Sequence, residues 1–189
     1  ILKRDIKNVQ TPNQEKVAEH IKHSWYEDGA ALHPFKGETK PKHGEYDTGN
    51  KSGFFASLFG KQETGRYSWL KAPRYDGESC EVGPLARVLV AYAKGHPEIT
   101  AVVNNTLAAL NVPADALFST LGRTAARGLE TIVIGDAMEG WVMKLVENVK
   151  NGNTNTYQSY ELPDEGMGYG LNDVPRGASG HWIEIKDKK

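Results

Sequence analysis

With 189 residues, 39% of them hydrophobic and 25% charged, and a formal net charge of -1, the chain has the balance of a folded domain with a sizeable core, not of a disordered segment. Near-neutral charge and dispersed basic residues argue against nucleic acid as a partner, which calls for a clear basic excess. A single cysteine, Cys80, excludes an intrachain disulfide and any Cys-x-x-Cys metal or redox pair, and reads as a small packed or exposed thiol. No run approaches the ~18 apolar residues of a membrane span, and the opening ILKRDIKNVQ lacks the apolar core of a signal peptide. The chain starts at Ile1 without a methionine, which fits a processed protein or a fragment.

Pro12 followed by NQEKVAEHIKHSWYE puts Val17, Ala18, Ile21 and Trp25 at helical spacing, with Asp28-Gly29 as a stop, so a first amphipathic helix is expected here. From Leu32 to Arg66 the chain is rich in Gly, Lys and Pro without a sustained period, and reads as a long loop. YSWLKAPRYDG gives a short extended stretch, since Pro73 favours extended backbone at Ala72. In EVGPLARVLVAYAKGHP, Pro84 sits at a first helical position and Gly95 with Pro97 ends the helix, which is apolar nearly all round and expected buried. A further helix runs through EITAVVNNTLAALN to about Asn111, before Pro113.

The longest element is a helix from near Asp115 to a stop at Asn151-Gly152, with Leu117, Leu121, Thr124, Gly128, Ile132, Gly135, Met138, Val142 and Leu145 at helical spacing. At ~1.5 Å per residue it would be about 50 Å long, more than the roughly 30 to 35 Å across a compact body of this size, so part of it should lack a partner within the chain. After Gly152 the chain turns polar, and His181 to Lys186 alternates as a half-buried strand with no obvious second strand after it. The over-long helix and the orphan strand both suggest the middle of a larger protein.

His20 and His23 lie three apart on the expected first helix, without a carboxylate or cysteine placed to complete a metal-ligand set. His33, His43 and His96 sit beside Pro or Gly, where capping or exposure explains them. The run GMGYG, Gly166 to Gly170, resembles half of a dinucleotide loop but has no recognisable strand before it or helix after it. GFFASLFGKQ fails as a phosphate loop because its glycines are too far apart and Gln62 stands where Ser or Thr should be. Arginine is more informative. Arg74 and Arg176 each follow a proline, and Arg176 is followed by Gly177 and Gly180, so other groups can approach its backbone. A permanent charge held in this way suits an anionic ligand or a charge that develops in a reaction. The structural alternative pairs Arg176 with Asp173 or Glu184 across a turn.

Several longer segments, in order, carry a resemblance. YSWLKAPRYDG (Tyr67 to Gly77), EVGPLARVLVAYAKG (Glu81 to Gly95), LGRTAARGLET (Leu121 to Thr131), DAMEGW (Asp136 to Trp141) and VPRGASGHWIEIKD (Val174 to Asp187) resemble the large subunit of nickel-iron hydrogenases of the uptake type. HSWY (His23 to Tyr26) and HPFKGETKPK (His33 to Lys42) extend the likeness toward the N-terminus. The resemblance implies heterolytic cleavage of dihydrogen at a nickel-iron pair whose iron carries cyanide and carbon monoxide, with electrons leaving through an iron-sulfur small subunit. It also implies four cysteine ligands in two Cys-x-x-Cys pairs, one near each end of the subunit, and this chain has neither. Residues 1–189 are therefore expected to be one internal part of a single large-subunit domain, truncated at both ends and inactive in isolation.

Carried over residue by residue, Val174-Pro175-Arg176 matches the family's Ala-Pro-Arg, which surrounds the iron's diatomic ligands. The resemblance implies a catalytic role for Arg176 over the open face of the metal pair, including a part in proton abstraction. A guanidinium is a very poor base, so charge stabilisation is the physically safer role. Val174 departs from the family's alanine by two methyl groups close to those ligands. The Lys71 to Tyr75 and Gly83 to Arg87 motifs match without an assignable step, and could position the active-site side or face the small subunit. The resulting fold expectation is mainly α, a multi-helix core around one long central helix with long irregular loops and a short C-terminal β-strand. The competing reading is a catalytically inactive helical scaffold or subunit-binding protein derived from the same fold. Uptake-type relatives imply the cell envelope or periplasm, with the cytoplasm as the alternative.

Overall fold

The computed structural model describes residues 1, 3–27, 30–37, 40–41 and 68–189. They fall into two units, one of Pro12–Cys80 and one of Ile1–Thr11 with Glu81–Lys189. Most of the loop expected between Leu32 and Arg66, with His43 and the GFFASLFGKQ segment, lies outside the described residues.

The larger unit is helical where proline starts and glycine or asparagine stops the chain. Helix α1 (Pro84–Ala93) begins with proline at its first position, behind Gly83 at φ 94°, and the chain leaves it at Gly95 with φ 72°. Helix α2 (Pro97–Leu110) ends at Asn111, whose φ of 52° and ψ of 48° are left-handed, a conformation asparagine tolerates. The Asn111 and Val112 amides donate back to the carbonyls of Ala108 and Leu107. Helix α3 (Thr120–Lys150) starts later than the expected Asp115. Ala114–Leu117 is a 3-10 turn, and the extended Ser119 accepts a hydrogen bond from the Gly122 amide at 3.0 Å, so the serine cap decides where the helix begins.

One core joins the three helices, with Leu85, Val88 and Leu89 of α1 against Ile99 and Val103 of α2, Leu117, and Ala126 and Leu129 of α3. Helix α1 buries one face, not its whole circumference. The buried stripe of α3 is Gly122, Ala126 and Leu129, displaced from the expected one. Leu121 is 81% exposed and Ile132, Met138, Val142 and Leu145 are all more than half exposed. Small residues at 122 and 126 let the backbone of α3 approach its neighbours, which turns Leu121 outward. No residue of α3 beyond Leu129 is buried among the described residues, in line with a helix too long for its unit. Val103 is fully buried, so Val103→Ala should cost about 2 kcal/mol from lost methyl burial and the remaining cavity. The check is hydrogen exchange at the Val88 and Leu129 amides of the full-length protein, expected to quicken roughly thirtyfold.

The C-terminal strand is not an orphan. Strand β4 (Gly177–Lys186) pairs antiparallel with β3 (Glu165–Val174), which precedes it, in a register running from Glu165↔Lys186 to Val174↔Gly177. The glycines of GMGYG therefore lie in a strand, alternating with Met167, Tyr169 and Leu171, and are no nucleotide loop.

In the smaller unit the expected first helix is replaced by a 3-10 turn at Gln14–Lys16, capped by the Asn13 side chain, and strand β1 (Val17–His20). Strand β1 pairs antiparallel with β2 (Ala72–Tyr75), so the APRY part of the expected stretch is extended. The helical spacing is overridden by pairing to a strand more than fifty residues away. Lys16 bridges Asp76 at 2.8 Å, and the Asn13 amide donates to the Tyr75 hydroxyl at 3.0 Å. Trp25 and Tyr26 stack edge-on against Trp69, and the buried Ser24 hydroxyl donates to the Leu70 carbonyl. Among the described residues no helix is long and apolar enough to cross a membrane.

Candidate functional site

Pro175 and Arg176 form the two-residue loop of the β3–β4 hairpin. Proline fixes a negative φ, and Arg176 is not among the residues with positive φ, so this is not the primed turn that best fits strand twist. Contacts from α1 and the residues before it hold the loop instead. A Cβ on Gly83 would lie 3.0 Å from the Arg176 carbonyl oxygen, and one on Gly177 would lie 3.2 Å from Val82 Cγ2. Gly83 thus serves two needs, a left-handed φ and a close approach of the loop backbone. Gly180 is covered by the Trp182 ring from its own strand.

The Arg87 guanidinium sits between α3 and the loop. Its Nε and one Nη donate to both oxygens of Glu130, the second bond at 2.8 Å. The other Nη donates to Asp173 Oδ1 at 3.3 Å and to the Val174 carbonyl at 2.6 Å, and the Pro175 carbonyl accepts a bond of 3.1 Å. The Arg87 and Glu130 side chains are only 21% and 20% exposed. Hydrogen bonding to Glu130 leads the effects that raise the Arg87 pKa above its usual value, so the charge is permanent.

Arg176 itself is exposed, and among the described residues its side chain has no hydrogen bond or ion pair. Both carboxylates weighed as structural partners are engaged elsewhere, Asp173 by Arg87 and Glu184 by Lys186 at 2.8 Å. Arg74, the other arginine after a proline, donates to the neighbouring Pro73 carbonyl at 2.9 Å and lies in the smaller unit. Lys71 bridges Glu19 at 3.5 Å and lies over the Tyr26 ring. Arg87 and Glu130 lie in segments that carry the resemblance, Gly83 to Arg87 and LGRTAARGLET, but no step is assignable to either from sequence, because they are 43 residues apart and meet only when α1 packs on α3.

A second ion pair braces the approach to α1. Arg123 in the first turn of α3 donates through two nitrogens to Glu81, at 2.9 and 2.6 Å. Hydrogen bonding to Arg123 holds the Glu81 carboxyl below the usual carboxylate range. A lowered folded-state pKa gives stability that is present above about pH 4.5 and lost as pH falls through the folded value. Glu81→Gln should flatten the acid-side fall of stability with pH, read by unfolding the full-length protein between pH 3 and 6 (about the window set by carboxylate titration).

Among the described residues the histidines make no metal centre. His20 ends β1, His33 accepts from the Phe35 amide at 3.2 Å and reaches Gln14, and His96 pairs with Glu98 at 3.1 Å. Among the described residues no three His, Cys, Asp or Glu side chains group to hold a metal ion, and the only thiol, Cys80, is exposed. A soft metal pair requires several thiolates, so these residues do not fit it as ligands. What the larger unit offers is a loop tied to Arg87 and carrying a cation with no ion-pair partner among the described residues.

A family model described as nickel-dependent hydrogenase matches residues 1–189. The chain belongs to that family. Among hydrogenase relatives, the uptake hydrogenase large subunit of Rhodobacter capsulatus is 42% identical over 192 residues, covering 97% of this chain and 32% of the relative. That of Bradyrhizobium diazoefficiens is 43% identical, covering 96% of this chain and 31% of the relative. The quinone-reactive Ni/Fe-hydrogenase large chain of Wolinella succinogenes is 36% identical, covering 99% and 33%. The reduced, active Ni-Fe-Se hydrogenase of Desulfomicrobium baculatum superposes with a TM-score of 0.63 at 30% identity, covering 95% of this chain and 34% of that one. The mainly α fold expected of a hydrogenase large subunit is thus the fold observed. The chain spans about a third of the length of these relatives.

Proposed function

We propose that this chain is part of the large, catalytic subunit of a nickel-iron hydrogenase, which cleaves dihydrogen reversibly into a proton and a hydride and passes electrons to an iron-sulfur small subunit. The observation that carries the reading is the match of all 189 residues to that family, with hydrogenase large subunits as relatives. Residues 1–189 are one part of a single large-subunit domain. The hydrogen-splitting chemistry belongs to a nickel-iron centre with cyanide and carbon monoxide on the iron, ligated by thiolates outside this chain, and the chain alone is inactive.

Arg176 is the catalytic residue of this part. A guanidinium on a loop tied to Arg87, with no carboxylate partner among the described residues, offers its N–H groups and its charge to an anionic group placed against the loop. It does so without acting as a base, since it does not give up its proton near neutral pH. Val174 and Pro175 would supply apolar surroundings for the diatomic ligands on the iron of such a centre. Their carbonyls, turned to Arg87, leave the two side chains and Arg176 for that task. The quinone-reactive relative supports a site at the cell envelope, because quinones reside in membranes.

The coding sequence on both sides of residues 1–189 provides the first test. A Cys-x-x-Cys pair on each side supports the enzyme, and their absence favours a scaffold that kept the fold and lost the metal. The second is hydrogen-dependent dye reduction by the full-length protein purified with its small subunit. Nickel-loaded protein without hydrogen turnover would overturn the reading.

A further inference from the structure

We propose that Arg87 is a positioning residue for the reaction, holding the Val174–Arg176 loop so that the direction of Arg176 is set by helices α1 and α3 and not by the hairpin. The inference rests on the catalytic reading of Arg176. Three observations support it. First, each of the five N–H groups of Arg87 has an acceptor, on Glu130, on Asp173, or on the carbonyls of Val174 and Pro175. One planar group therefore ties a helix carboxylate to two consecutive backbone carbonyls of the loop. Second, the loop is not of the primed type that the strands would favour, so the hairpin alone does not select it. Third, the Arg176 carbonyl rests on Gly83, four residues before Arg87 on the same stretch, where a Cβ would press on the loop backbone at 3.0 Å and the φ of 94° is one that side chains rarely adopt. Lysine at position 87 would keep the charge but, with one nitrogen, could not span Glu130 and both carbonyls.

The full-length subunit is prepared as wild type, Arg87→Lys, Arg176→Lys and the double variant, with Glu130→Gln as a gentler loosening of the same clamp. Amide exchange at Arg176 and Gly177 reads loop order without any need for hydrogen turnover, and Val88 and Val103 report the core. We expect exchange at the loop to rise roughly tenfold in Arg87→Lys and by a smaller factor in Glu130→Gln, with the core amides unchanged. Hydrogen turnover should fall roughly tenfold or more on Arg87→Lys alone, as misplacement of a reacting group does. The same change in the Arg176→Lys background should cost less than about twofold, because its target is already gone. Unchanged loop exchange, or an equal cost in both backgrounds, would overturn the positioning role. If wild type turns over no hydrogen, the functional reading fails and the exchange measurement alone decides whether Arg87 orders the loop.

Discussion

Arg176→Lys in the full-length protein should lower hydrogen turnover about a hundredfold or more, with little change in thermal stability. The size follows from what one fixed donor to a developing charge is worth in a water-poor site. Lysine keeps the charge but replaces a planar fork by a single flexible nitrogen, so both direction and the second hydrogen bond are lost. The unchanged stability follows from the geometry. Within residues 1–189 Arg176 engages no carboxylate among the described residues, so the substitution removes no folding contact there and the change in stability should stay within about 0.5 kcal/mol. The two readouts together separate a catalytic arginine from a structural one. A structural arginine would show the opposite pattern, with a lower melting temperature and near-normal turnover. A rate within about twofold of wild type would remove Arg176 from the reaction.

Gly122→Ala is expected to destabilise the larger unit by about 3 kcal/mol or more, although alanine is the better helix former. Gly122 lies in the first turn of α3, where its amide donates to the Ser119 hydroxyl. A Cβ there would overlap the backbone carbonyl of Leu117, and Leu117 is 4% exposed in the core. The methyl group cannot be relieved by rotating a side chain, because the atoms it meets are backbone. Either the 3-10 turn at Ala114–Leu117 moves and withdraws Leu117, or α3 tilts and opens the contact at Ala126. Propensity alone predicts a gain of up to about 1 kcal/mol, so the sign of the measured change decides between local preference and packing. Thermal unfolding of the full-length protein, with exchange at the Ala126 and Leu129 amides, gives that sign.

Helices α1 and α2 were legible because their boundary signals are local. Proline opens each one, and Gly95 and Asn111 supply the left-handed exits. Strand β1 was not, since Val17, Ala18, Ile21 and Trp25 suit either period and only pairing to Ala72–Tyr75 selects extension. Strand β3 did carry a signal. Met167, Tyr169 and Leu171 alternate with glycines, a period of two that the glycine-rich look of the segment concealed. The Pro-Arg loop is also an uncommon hairpin turn, so the hairpin had no turn signature to announce it. In the same way, Arg176 was conspicuous through its proline and glycines, while Arg87 stood out only as the end of a matching motif, Gly83 to Arg87, to which no step could be assigned. Its importance arises from Glu130 and two loop carbonyls, and no local spacing encodes that meeting.

The uneven burial of α3 also bears on the order in which this region becomes structured. Its packed residues, Gly122, Ala126 and Leu129, are all at the end synthesised first, and their partners in α1 and α2 come earlier still. A growing chain can therefore close the three-helix core while the rest of α3 is only emerging, because every residue of that core is already synthesised by Leu129. The later turns, with Met138, Trp141, Val142, Leu145 and Val149 exposed, then project from an already ordered base. Such a rod presents a preformed apolar surface, on which whatever segment covers it can condense without first paying to order the helix.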